Sequence, residues 1–371
     1  YPGDDGRGKR NLARELLSVR RELLDRLVQT YGRHANQLVE LQSLSRRFLS
    51  ELEGITSFLY EQLLWVRSVP RPVIPQPGDV FAALLWLISP ENWTAALRVV
   101  YEGFSQLPGK GSGALVLLVL LISLRPWMRR RMAVLAKRVS SPETDSFLAT
   151  PETLAYTLIL AAPLPLIFYS ISGFLTESAS SPFLYSAAGA MAHIAWIVAL
   201  FEVNRQCAAP RGLAEAHFGW PQVVTRPIYR GLLIAEVVCL PALYFSIQFV
   251  MAGIRFSSPE QLQVYNNSLG RILFIGAMSV LGFSLLGLFR PRKSAKSAAD
   301  SVRSSSLHRI YIYTYPLIML TTHIPVILAV LGYYLTAILL AYQMVKTLWL
   351  ILGLTLLGNL LLRWRTWNQR E

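Results

Sequence analysis

Four ionisable side chains stand in or at the edge of long apolar runs: His193, Glu202, Arg205 and Glu236. A carboxyl or imidazole group in lipid is costly, and where one persists it commonly carries protons or coordinates a substrate. Glu236 lies about two turns inside its run and His193 near the middle of another. A proton-coupled transporter needs several such groups converging at the membrane midplane. Only these two are offered, so the structural reading is favoured. In that reading Glu202 pairs with Arg205 three residues on, while Glu236 is protonated or bonded to a neighbouring helix. His193, His217, His308 and His323 are scattered, with no carboxylate or cysteine at metal-ligand spacing. No metal site and no cofactor is expected.

Enzymatic motifs are also missing. The chain has no GxxxxGK[ST] phosphate loop, no HExxH and no G-x-S-x-G elbow. The glycines of Gly109-Lys110-Gly111-Ser112-Gly113 lack the preceding strand that a dinucleotide loop requires. Two cysteines, Cys207 and Cys239, are too few for a disulfide framework or an iron–sulfur centre. The protein is therefore not expected to be an enzyme.

Composition defines the elements that carry these residues. Of 371 residues, 53% are hydrophobic and only 16% charged, with a mean hydropathy of +0.39. Soluble chains have about 25% charged residues, so this one cannot cover a water-exposed surface of its size. It reads as an all-α polytopic membrane protein with an N-terminal helical segment. Tyr1-Pro2-Gly3-Asp4-Asp5-Gly6 is no signal peptide, so the expectation is a cleaved precursor or a portion of a larger protein.

Four regions follow from the pattern. Residues 1–78 are polar, with Leu12, Leu16, Val19, Leu23, Leu27 and Tyr31, then Leu38, Leu41, Phe48 and Leu52, forming one apolar stripe on a long helix. The weak helix formers of Gly32–Asn36 predict a break into two antiparallel arms, and the proline-rich run from Pro70 to Pro77 predicts its end. Residues 79–110 give two short amphipathic pieces bearing Trp86, Trp93 and Tyr101, expected to lie flat at the membrane interface. Residues 111–364 hold seven expected spans, near 112–128, 151–173, 183–204, 228–251, 268–289, 311–340 and 346–364. Residues 365–371 form a tail. Pro163 and Pro165 should kink the second span, and Pro316 and Pro325 the sixth. Ala187-Ala188-Gly189-Ala190, Gly276-Ala277 and Gly282 should pack helices closely rather than line a pore.

Loop charge predicts orientation. Nineteen Lys and Arg fall in the loops after the odd spans and beyond the last; the opposite loops hold Arg255, Arg271 and Lys346. The positive-inside rule then places the first set in the cytoplasm and the N-terminal helix outside. Spread over helix ends, these cations suit anionic lipid head groups, at about 1 kcal/mol each, and not nucleic acid. Arg129, Arg130, Arg131, Arg292 and Lys293 are the candidate head-group contacts.

Glu53-Gly54-Ile55-Thr56-Ser57-Phe58-Leu59-Tyr60-Glu61-Gln62-Leu63-Leu64-Trp65-Val66-Arg67-Ser68 resembles the junction between periplasmic and membrane regions of the large MscS-type mechanosensitive channels, the MscK/MscM group. Leu331-Gly332-Tyr333-Tyr334-Leu335-Thr336-Ala337, with a Leu-rich helix ending Leu361-Leu362-Arg363-Trp364, is a second match, and the Ser89-Pro90-Glu91-Asn92-Trp93 turn a third. The resemblance runs from about residue 10 onward. It implies a bacterial inner-membrane channel, usually a ring of seven identical subunits, opened by membrane tension to release ions and small solutes. The pore helix and cytoplasmic β domain that the resemblance implies are expected to lie outside residues 1–371, so no pore residue is assigned, and the expected role is a peripheral paddle with a periplasmic stem. Tension favours the state of larger membrane area, so Pro163, Pro165 and Pro325, in spans able to change tilt, are candidate gating residues beside Glu236 and His193. A secondary transporter using Glu236 and His193, or a membrane-anchored scaffold, is the alternative.

Overall fold

The computed structural model describes residues 5–63, 67, 74–105, 110–141, 143–178, 181–255, 265–289 and 322–369. No strand occurs among them. The chain divides into two units, Tyr1–Leu64 and Trp65–Glu371.

The first unit is one helix, α1, Asp5–Leu63, without a break. The expected interruption at Gly32–Asn36 is thus corrected. A single mid-helix glycine costs only about 1 kcal/mol, there is no proline, and the flanking turns are rich in Leu, Arg and Glu. The stripe residues Leu16, Leu23, Tyr31, Leu38, Leu41 and Phe48 are exposed within this unit.

The second unit begins with α2, Pro77–Ile88, and α3, Pro90–Ser105. Together they make 29 residues, long and apolar enough to cross a membrane. The flat placement rested on two short amphipathic pieces with aromatic anchors, whereas the pair taken together has the length and apolarity of a span. Its aromatic anchors also point elsewhere than expected. Trp86 packs on Phe183, Phe249 and Tyr265, and Trp93 on Phe183 and Phe245. The Trp93 indole donates to the Leu87 carbonyl at 2.7 Å, which satisfies its N–H inside the bundle. Only Tyr101 faces outward.

Next comes α4, Lys110–Ser140, whose first half exposes Leu115, Val116, Leu117, Val119 and Leu120. The second span is split into α5, Ala149–Ala161, and α6, Pro163–Glu177, bent by 43°. Pro163 has no N–H to continue the ladder and fits the first helical position, so the helix restarts there. α7, Pro182–Cys207, and α8, Gln222–Arg255, follow, separated by a π-helical turn at Leu213–His217. A second π turn, Asn266–Gly270, leads into α9, Arg271–Phe289. Helix α10 occupies 322–330, and α11 runs Tyr334–Asn368. Five units pass the crossing criterion among the described residues: Pro77–Ser105, Pro182–Cys207, Gln222–Ala252, Asn266–Ser284 and Tyr334–Asn368. The bent pair makes a sixth.

The end of the sixth span needs correction. Residues 311–340 were expected as one helix, but α10 stops at 330 and α11 starts at Tyr334. Gly332 takes φ 95°, where a glycine is unstrained. The Tyr333 amide reaches back to the Leu328 carbonyl at 2.9 Å, a glycine-based helix stop. Lys346 therefore sits inside α11, 4.6 Å from the Tyr342 ring centre, and not in an outer loop. Pro316, Arg292 and Lys293 lie outside the described residues, as does the beginning of the 311–340 segment.

The largest core lies among α7 to α11, where Ile194, Val198, Leu243, Phe274, Ala329 and Tyr334 are buried together. Ala187, Ala188, Ala190 and Ala277 are all buried, and a side chain on Gly189 or Gly282 would press on Met251 or on Thr322 and His323. Gly276 has open space. Between helices in lipid, small residues permit this close approach.

Candidate functional site

Buried charge gathers at two junctions. The first joins α7 to α8. Arg205 pairs with Glu202 on its own helix, and its Nε lies 3.4 Å from Glu236 Oε2 on α8. Gln206 donates to the second Glu202 oxygen at 3.2 Å, and the guanidinium lies 5.6 Å from the Tyr229 ring centre. Both carboxylates are more than nine-tenths buried. Spacing alone exposes the Glu202–Arg205 pair; the crossing to Glu236 depends on how α8 packs. Glu236 Oε1 has no hydrogen-bond partner among the described residues.

His193 lies elsewhere. Its Nδ1 is 2.8 Å from the Gly189 carbonyl of the preceding turn, and the ring packs on Tyr342 of α11. Arg205, which holds Glu236, is twelve residues further along α7, about 18 Å of helical rise. The two candidate coupling groups therefore do not converge.

The second junction went unforeseen. His217, in the π turn, is buried between two threonines of α5: Thr150 Oγ1 lies 3.1 Å from Nδ1 and Thr153 Oγ1 lies 3.0 Å from Nε2. Thr153 already donates its one hydroxyl proton to the Ala149 carbonyl at 2.7 Å. It can then only accept from the ring, so Nε2 carries the imidazole proton and Nδ1 accepts from Thr150. Burial, and then the cation of Arg363, push the His217 pKa down to about 4, against a smaller opposing pull from Asp145. At neutral pH the ring is uncharged and both nitrogens are satisfied. The His217 carbonyl accepts from Arg363 Nη1 at 3.2 Å, while Arg363 Nη2 pairs with Asp145 at 2.6 Å. Trp367 packs on Phe147 beside them. In sequence Arg363 stood out as one of many loop cations and as part of the Leu361–Trp364 helix end, but not as a partner of Asp145 or His217, which lie 218 and 146 residues away.

The remaining expected residues fall as follows. Pro163 forms the bend and Pro165 lies in the first turn after it. Pro325 lies within α10. Arg129 and Arg130 are exposed on α4, whereas Arg131 is held 3.2 Å from Glu152 of α5. No cluster of three or more His, Cys, Asp or Glu residues able to hold a metal occurs among the described residues.

A helical bundle with outward apolar faces, buried ion pairs and one broken span defines a polytopic membrane protein. The model of the family described as "Mechanosensitive ion channel inner membrane domain 1" matches residues 111–371, and the chain belongs to that family. It is similar to the mechanosensitive channel MscK of Escherichia coli (strain K12), 26% identical over 361 residues, covering 94% of this chain and 30% of that protein. It is also similar to the miniconductance mechanosensitive channel MscM of the same organism, 25% identical over 276 residues, covering 72% and 24%. The chain thus spans less than a third of either relative. No solved structure matches it.

Proposed function

We propose that this chain is the peripheral membrane part of a mechanosensitive channel subunit, opened by bilayer tension to release ions and small osmolytes during hypoosmotic stress. The observation that carries this reading is the family match over residues 111–371. The 43° break between α5 and α6 supports it, as the part of the membrane region we assign to move. A span that straightens or tilts changes the area it occupies, and tension does work on that change. Moving an equilibrium from 1:99 to 99:1 takes about 5.5 kcal/mol, while mismatch contributes fractions of a kcal/mol per Å, so several helices must move together. Both relatives are named as channels, and no enzymatic role is proposed.

Several further assignments belong to this reading. Subunits assemble as a ring of identical copies, seven in number by the family resemblance. The N-terminal helix is a periplasmic stem, the chain sits in a bacterial inner membrane, and the α11 end faces the cytoplasm. Arg129 and Arg130, with Arg292 and Lys293, contact anionic lipid head groups. The transporter reading is not favoured, because Glu236 is held by Arg205 and His193 by its own helix.

Patch-clamp recording of the full-length protein under suction tests the proposal. Stretch-activated currents are expected, and replacing Pro163 and Pro165 together with alanine should raise the opening threshold. Absence of stretch-activated current in the unaltered protein would sink the channel reading. An unchanged threshold in the variant would remove the bend from the sensing mechanism.

A further inference from the structure

We infer that Arg363 mechanically couples the bent second span to the last helix. The inference rests on the channel reading above. Asp145 stands in the turn before α5, Thr150 and Thr153 on its first turns, and Arg363 near the end of α11. Three contacts join these elements without a gap. The threonines clasp the His217 ring, the His217 carbonyl accepts from Arg363, and the Arg363 guanidinium pairs with Asp145. Both charged side chains are shielded, Arg363 being 13% exposed and Asp145 9%.

Shielding decides the strength of the link. An exposed pair contributes about 0–1 kcal/mol, whereas separating a buried pair leaves a charge stranded at far greater cost. The guanidinium also binds two acceptors on two segments through separate nitrogens, which fixes its direction as well as its distance. A rotation of α5 about the Ala162–Pro163 break displaces Asp145 and the two threonines together. Arg363 must follow or the junction must open, and following carries the end of α11 along. Leu352 and Leu356 of α11 pack against the cluster of Ala161, Val203 and Leu213 at this same junction, so an apolar contact runs beside the ionic one.

The link predicts transmission, not restraint. Full-length protein carrying Asp145→Cys and Arg363→Cys should need more tension than wild type. At the wild-type midpoint its open probability should fall about 5- to 150-fold, the span of ordinary coupling free energies. A short bifunctional thiol reagent applied to the same patch should restore the wild-type threshold, and reductive removal of the reagent should raise it again. Restoration shows that the variant was folded and merely uncoupled. Arg363→Lys keeps the pairing charge but loses the two-acceptor fork, so its threshold should lie between the two. A threshold that is lowered or unchanged in the reduced double variant overturns the inference, as does a raised threshold that cross-linking leaves raised. In each of those cases the unaltered protein still gives stretch-activated current, which separates this failure from failure of the channel reading.

Discussion

At His217 the hydroxyl of Thr153 is committed to a backbone carbonyl, which settles the tautomer of a ring that no sequence pattern marks. Its lowered pKa has a definite consequence for stability. Above the ordinary histidine range neither folded nor unfolded chain is protonated there, and pH has no effect. Between that range and about 4 the unfolded chain takes up a proton that the folded ring, facing Arg363 and Asp145, refuses. Stability is therefore lost as pH falls through that window. Thermal unfolding followed by tryptophan fluorescence should show a larger drop from pH 7 to 4.5 in wild type than in His217→Gln, whose amide can bond the same threonines. The α7–α8 junction makes a different demand. Two carboxylates share one guanidinium, so Glu236→Gln leaves Arg205 paired one-to-one with Glu202, while Arg205→Leu leaves two carboxylates buried side by side. Removing one partner of a buried pair costs about 3–5 kcal/mol. Arg205→Leu should reach that range in detergent-based unfolding titrations and Glu236→Gln fall well short of it.

Helices were legible wherever an apolar run had polar ends. Residues 183–204, 228–251 and 268–289 fall within α7, within α8 and on the second π turn with α9. The bend also follows from its prolines, because a missing N–H acts locally and needs no partner. What escaped was set by partners or by competing signals. The turn at Gly332 lies inside continuous hydrophobicity, so the apolar pattern ran straight across it. Gly32 sent the opposite message, a breaker that its neighbours outweigh. Trp86 and Trp93 carry the composition of interface anchors, yet Phe183 and Phe245 draw them into the bundle. At Gly332 a side chain is strained whatever the space around it, since φ 95° lies outside the region L residues prefer. Holding a residue in such a region costs of order 1–3 kcal/mol. Gly332→Ala should destabilise by that amount, read as a lower unfolding temperature of the membrane-extracted protein. Gly353→Ala on α11, where no neighbour lies within 4 Å, should not destabilise.

For the molecule as a whole, the distribution of Lys and Arg predicts opposite faces for the two ends, but that charge count did not include the 29-residue pair α2–α3, which is long and apolar enough to cross. Single cysteines at Ser43 on α1 and at Thr366 on α11, labelled from outside intact spheroplasts with a membrane-impermeant reagent, decide the matter. Labelling of the first and protection of the second is expected; labelling of both, or of neither, would show that the pair crosses and would place the stem and the α11 end on one face. The long last helix has a further practical bearing. Leu350, Leu354, Leu357, Leu361, Leu362 and Trp364 of α11 are uncovered by the described residues. Once extracted, that surface has to be wrapped by amphiphile. Acyl-chain length of the detergent or nanodisc lipid should therefore govern whether preparations of this protein stay monodisperse, more strongly than salt or buffer composition.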